Sequence, residues 1–120
     1  YTNDTRKFLR GSITPILKNI RSAGGKENLP KIHFHLAPAV SLLRLWKKPG
    51  DQDGGDDLSA FRHSIVRVNQ THLPMAGIEA GRAGISIRGI VSIDDKDNHL
   101  GSVECFFPIT RTASILKGIK

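Results

Sequence analysis

Four arginines are the residues of this chain best placed to do chemistry. Arg44, Arg62, Arg82 and Arg88 fall inside or beside apolar segments, whereas Lys47, Lys48, Lys96 and Lys117 fall in polar stretches. A guanidinium held within structure takes a fixed partner, either a carboxylate such as Glu79 or Glu104 or a bound anion. The same charges have a purely structural reading. Asp56, Asp57, Glu79, Arg82 and Arg88 can form an ion-pair lattice that touches no ligand, because a buried arginine must be paired in either case.

Other chemistries find weaker support. His33 and His35 lie on one face of an alternating segment, and with His72, His99 or Glu79 they offer donors of the kind zinc takes, but nothing fixes a third ligand. The simpler reading is a polar face on a half-buried strand. Asp51, Asp53, Asp56 and Asp57 are spaced somewhat like a calcium loop, yet the sixth position is not glycine and the twelfth is Arg62 in place of a bidentate glutamate. There is no Gly-x-Ser-x-Gly elbow, no phosphate loop and no Gly-x-Gly-x-x-Gly after a strand. The expectation is therefore no enzyme, no metal and no cofactor.

Gly81-Arg82-Ala83-Gly84 invites a nucleic-acid reading, since a Gly-x-x-Gly loop between two helices is how a KH domain clamps a backbone. Here the following residues alternate as Ile85, Ile87, Gly89, Val91 and Ile93 against Ser86, Arg88, Ile90 and Ser92, which predicts a strand and a glycine hairpin. The aromatic residues form no stacking cluster. A basic nucleic-acid-binding module stays as one alternative reading, carried by a net charge of +7 from 18 Lys plus Arg against 11 Asp plus Glu, and a module that transmits or dimerises without binding a ligand is another.

The elements that must position these residues follow from the hydrophobic period. In 120 residues, 38% hydrophobic and 24% charged, there is room for one domain, and no apolar run approaches a membrane span. One cysteine, Cys105, excludes an intrachain disulfide. Leu9, Ile13, Ile16 and Ile20 form a heptad-like seam on a helix over residues 1–22, with a break expected near 12–14 because of Gly11 and Pro15. Ile32, Phe34 and Leu36 against His33 and His35 predict a strand closed by Pro38. Residues 41–46 are a strand or a helical turn, and 47–55 a polar loop. Asp56 and Asp57 sit where a helix cap belongs, ahead of Leu58, Phe61, Ile65 and Val68, so a helix is predicted over 58–71. Strands are predicted over 76–80, 85–93 and 102–107, the last two forming a hairpin, and 112–120 reads as an exit segment. That order gives an α+β domain with an antiparallel sheet.

The ordered set Phe34-His35-Leu36 with Pro38, Ser41-Leu42-Leu43-Arg44-Leu45-Trp46, Gly55-Asp56-Asp57-Leu58-Ser59 with Phe61-Arg62, and Val68-Asn69 with Thr71 carries a resemblance. So do Gly77-Ile78-Glu79 with Gly81-Arg82, Gly84-Ile85 with Ile87-Arg88-Gly89-Ile90, and Leu100-Gly101-Ser102-Val103-Glu104. Over residues 29–107 the chain resembles the Cache-type extracytoplasmic sensory domains of bacterial chemoreceptors (methyl-accepting chemotaxis proteins) and sensor histidine kinases. The resemblance implies a PAS-like fold, with a long N-terminal helix packed on a central antiparallel sheet and a covering helix, and a single domain spanning 1–120. It implies a small polar, anionic ligand such as a carboxylate, bound between sheet and cover. Arg44 and Trp46 would then line the pocket wall, Arg62 would lie on the covering helix, and Glu79, Arg82 and Arg88 would make polar contacts, with His35 as a further contact. The implied parent is a homodimer anchored by helices outside this segment, with the domain on the periplasmic or extracellular side and no nucleic acid as partner. The start at Tyr1, without methionine, agrees with a piece cut from such a receptor.

Overall fold

The computed structural model describes residues 2–24, 29–81 and 84–109. They form two units, residues 1–30 and 31–120.

The first unit is a single helix, α1 (Thr2–Gly24), with Pro15 inside it. The break expected near residues 12–14 is absent. A proline ring presses on the carbonyl four residues back, here that of Gly11. The helix nonetheless continues through Pro15 to Gly24. A broken helix would have to nucleate twice, which short helices do poorly. Among the described residues no helix is long and apolar enough to cross a membrane.

The second unit is built on a five-stranded sheet. Its strands are β1 (Lys31–Leu36), β2 (Val40–Arg44), β3 (Met75–Gly81), β4 (Gly84–Asp95) and β5 (Asn98–Pro108), with α2 (His63–Thr71) between β2 and β3. The spatial order is β2-β1-β5-β4-β3, antiparallel throughout, so β5 is central and flanked by β1 and β4. Residues 41–46 thus resolve into a strand and a turn. The β3–β4 pairing runs to Gly81↔Gly84, a hairpin, so strands flank the Gly-x-x-Gly segment.

The helix expected over 58–71 begins later, at His63, with Arg62 as its cap and no side-chain cap bond. Asp57 instead closes a separate turn, its Oδ1 accepting from the Ser59 amide at 2.9 Å and hydroxyl at 2.7 Å. A short aspartate that satisfies nearby amides competes with helix continuation, and here it wins. The apolar spacing still holds where it matters. Leu58, Ile65 and Val68 join Ala39 and Ile90 in the core, with Val66 and Met75 packed against it.

Strand β4 alternates as expected, with Ser86, Arg88 and Ile90 inward. Ile85, Ile87 and Val91 are exposed. The covered face of the sheet is therefore its more polar one, and the reason lies in what Arg88 meets there.

Candidate functional site

The centre of the covered face is one carboxylate. Glu104 on β5 is the direct cross-strand partner of His33 on β1 and of Ile90 on β4. Its Oε1 accepts from Arg62 Nη1 at 3.0 Å, His33 Nδ1 at 3.1 Å and His35 Nε2 at 3.3 Å. Its Oε2 accepts from Arg62 Nη2 at 2.7 Å and Arg88 Nη1 at 3.2 Å. Arg62 Nε donates in turn to Glu79 Oε1 at 2.5 Å. Two guanidinium groups and two carboxylates balance in charge, which lets His33 (3% exposed), His35 (1%), Arg62 (2%) and Glu104 (1%) be buried together.

The histidines fit as neutral rings with defined tautomers. His33 donates through Nδ1 to Glu104 and accepts the Ser41 hydroxyl at Nε2, 2.7 Å away. His35 donates through Nε2 and accepts the Ser102 hydroxyl at Nδ1, 2.9 Å away. Burial pushes the His33 pKa down to about 4 and lowers that of His35 as well, outweighing the pull of Glu104. Burial alone would raise the Glu104 pKa, but hydrogen bonds from His33, His35 and Arg62 hold it well below the usual carboxylate range. For Arg62, burial opposes the charge, and the bonds to Glu104 and Glu79 still raise its pKa. For Arg88 burial prevails, and its pKa is lowered.

A second clamp stands beside the first. Arg44, at the end of β2, makes a bidentate pair with Asp56 at 2.7 Å on both arms and donates to the Gln52 carbonyl at 3.3 Å. The polar segment after β2 folds back along that strand. Ser41 N donates to Asp56 O, Gly55 N to Ser41 O and Arg44 N to Asp53 O. Of its aspartates, Asp56 is committed to Arg44 and Asp57 to Ser59.

Between these clamps opens a cleft of about 660 Å³ lined by Lys31, Arg44, Lys47, Arg62, Arg88 and Asp56. Its apolar wall is Trp46, Phe106 and Leu58. Trp46 packs edge-on to Phe106 and to His33, at 5.2 and 5.7 Å between centroids. The Arg88 guanidinium lies over Phe106 at 4.1 Å, and Lys31 Nζ over Trp46 at 5.5 Å. Arginine has five N–H groups. Arg62 uses three in the bonds above, and Arg88 uses three, from Nη1 to Glu104, from Nε to the Glu79 carbonyl at 3.3 Å and from Nη2 to the Gly84 carbonyl at 3.4 Å, so each has two left over.

Residues 3–117 match the Cache family described as the double sensory domain of two-component sensor kinase. The chain belongs to that family. No curated protein and no solved structure gives a significant match. This Cache domain is accordingly a sensory domain of signal transduction, with the α+β, PAS-like architecture that the resemblance implied. The family's description concerns sensing and not catalysis, and it names a sensor kinase, not a chemoreceptor.

In the Cache domain, the residues singled out from the sequence fall in three places. Arg44, Trp46, Arg62 and Arg88 come together around the cleft, although Arg62 precedes the covering helix instead of lying on it. Glu79 and His35 do not line it. Glu79 borders a smaller concavity of about 200 Å³ and braces Arg62, while His35 lies buried behind Glu104. Arg82 lies outside the described residues. Of the expected ion-pair lattice, Asp56, Glu79 and Arg88 are paired, with Arg44, Arg62 and Glu104 respectively, while Asp57 bonds Ser59 instead. The reading of His33 and His35 as a polar, half-buried face is corrected. Both are buried because their neutral rings complete the Glu104 shell. That shell also argues against a metal at His33, His35 and Glu104, since two guanidinium groups already occupy the carboxylate. Lys31, Lys47 and Phe106 were missed. Lys31 and Phe106 carry a signal in hindsight, as adjacent partners in β1 and β5.

Proposed function

We propose that the cleft is the sensory site of this Cache domain and that it takes a small anionic molecule, a carboxylate foremost. The observation that carries this is its charge. Five cationic side chains, Lys31, Arg44, Lys47, Arg62 and Arg88, meet the carboxylates of Asp56, Glu79 and Glu104. Among the side chains that line the cleft, cations outnumber carboxylates. In a partly desolvated cleft a carboxylate gains charge-assisted bonds from Lys31, Lys47 and the spare donors of Arg62 and Arg88. Trp46 and Phe106 set the size and shape of its apolar part.

On this reading Glu79 and His35 act through Arg62 and Glu104, holding the donors in place, and Arg82 is an added polar contact. Signalling requires that the ligand favour one arrangement of the domain over another. The loop between β2 and α2 is the element suited to change, since it reaches the cleft through Gln52, Gly54 and Asp56. The family's description supports one PAS-like module over residues 1–120 as part of a double sensory domain. It also supports a membrane-anchored parent that presents the module outside the cytoplasm and carries the change across the bilayer. The apolar seam of α1 supports a homodimeric parent.

The test is a thermal-shift panel of organic acids, amino acids, their amides, sugars and nucleotides. A ligand at 100 times its Kd adds about 2.7 kcal/mol, several degrees for a domain this size. The expected hit is an acid whose amide is silent and whose effect falls in Lys31→Ala and Lys47→Ala. Equal stabilisation by acid and amide, or full response in both lysine variants, would overturn the anion assignment.

A further inference from the structure

The residue that follows α2 and the β4–β5 hairpin bring together His72, Asp94 and His99, whose ligand atoms all lie within 4.8 Å of one another. None of the three lines the cleft. His72 caps α2 in the left-handed conformation, at φ 60°. Asp94 and His99 are cross-strand partners beside the turn of the hairpin.

The hydrogen-bond pattern here is short of a donor. Asn69 gives its Nδ2 to the Pro38 carbonyl at 3.1 Å, which turns its Oδ1 toward His99 Nε2 at 2.8 Å. That oxygen accepts, so His99 carries a proton on Nε2, and as a neutral ring it presents the Nδ1 lone pair on its other side. There it meets Asp94 Oδ1 at 2.8 Å, an acceptor facing an acceptor. His72 Nδ1 approaches the same oxygen at 3.5 Å. The two rings stack at 4.2 Å with 14° between their planes. Two imidazole nitrogens and a carboxylate oxygen therefore converge where a cation would join them.

We propose that His72, Asp94 and His99 form a site for one divalent transition-metal ion of the zinc type, completed by water. In a tetrahedral shell with bonds of 2.0–2.1 Å, ligand atoms stand about 3.3 Å apart, between the two separations seen here. Two imidazoles with one carboxylate favour zinc and its neighbours over calcium or magnesium. The outer contacts are those of a held site. The Asn69 carbonyl fixes the tautomer of His99, and the Ser92 hydroxyl bonds Asp94 Oδ2. His72 and Asp94 have side chains 44% and 30% exposed, so the ion has a route in and the His72 ring has room to tilt toward it. Bound metal would pin the end of α2 to the hairpin. The site is independent of the reading of the cleft.

Zn2+ is titrated calorimetrically into the chelator-treated chain, and Co2+ is added as an optical reporter of coordination. The expected result is one Zn2+ per chain, a higher Tm with Zn2+, and visible Co2+ absorption of a four-coordinate site. His72→Ala and Asp94→Asn, both at exposed side chains, should each weaken binding by about tenfold or more while keeping the metal-free Tm close to that of the parent chain. Absence of saturable binding, or equal binding by both variants, would overturn the proposal.

Discussion

Glu104 has five hydrogen bonds and no room for a sixth. On the proposed reading its task is to hold Arg62 and Arg88 where the cleft can use them, which makes it a positioning residue. Glu104→Gln keeps the shape and removes the charge, leaving Glu79 to face two buried guanidinium groups. Breaking one side of such a set costs about 3–5 kcal/mol, to be read as a fall in the urea midpoint. Arg62→Ala should cost a similar amount, since it strands Glu104. Lys47→Ala, on the rim, should leave stability within about 0.5 kcal/mol. A ligand effect seen in Lys47→Ala is therefore interpretable in a way that one seen in Arg62→Ala is not. Acid acts on the same cluster. His33, His35 and Glu104 all have folded pKa values below their unfolded ones, so the unfolded chain binds more protons and stability falls as pH falls. For His33 the loss runs from 6.5 down to about 4, on the order of 1 kcal/mol per pH unit, and Glu104 adds its own loss below the ordinary carboxylate range. Denaturation profiles at pH 7.5, 6 and 5 check this. A flat profile would mean the histidines are not buried as neutral rings.

At the scale of elements, the central strand is held close to β1. At Gly101 on β5, φ is 153° and an added Cβ would stand 2.2 Å from the His35 carbonyl oxygen. Gly101→Ala should therefore push β5 from β1 at the histidine pair and lower Tm by several degrees, whereas Gly77→Ala, with open space around it, should change Tm little. The strands, the hairpins and the period of α2 were legible in the sequence because alternation and three-four spacing are local signals. The start of α2 was not, because an Asp57 turn and a helix cap look alike before the chain folds. Nor was the inward face of β4. Ile85, Ile87 and Val91 make the stronger apolar stripe, yet Arg88 turns inward to reach a carboxylate sixteen residues away. The histidine pair illustrates the same limit, since His33 meets Glu104 across 71 residues and only the strand register joins them. Arg44, Trp46, Arg62 and Arg88, which the structure brings around one cleft, were legible as a group because they sit in or beside structured segments. Lys31 and Lys47 were not, because a lysine at a strand edge or in a loop carries no local sign that a cleft lies beside it.

For the whole molecule, a net charge of +7 is concentrated to useful effect only where neutralisation is incomplete. The Glu104 cluster and the Arg44–Asp56 pair are internally paired, and on the proposed reading the cleft draws anions through the excess of cationic side chains that line it. Ligand affinity should accordingly weaken as ionic strength rises, by severalfold between 50 and 500 mM NaCl, in calorimetric titrations. A salt-independent affinity would point to shape and apolar contact as the source of binding. The most direct measurement uses the single tryptophan, which is Trp46 on the cleft wall. Carboxylates that raise Tm are titrated while its emission is followed. The expected result is a saturable change in intensity or wavelength with the midpoint of the thermal response, absent for the amide and shifted to higher concentration in Lys47→Ala. A carboxylate that stabilises the domain while Trp46 stays silent would place the ligand elsewhere and contradict the assignment of the cleft as the sensory site.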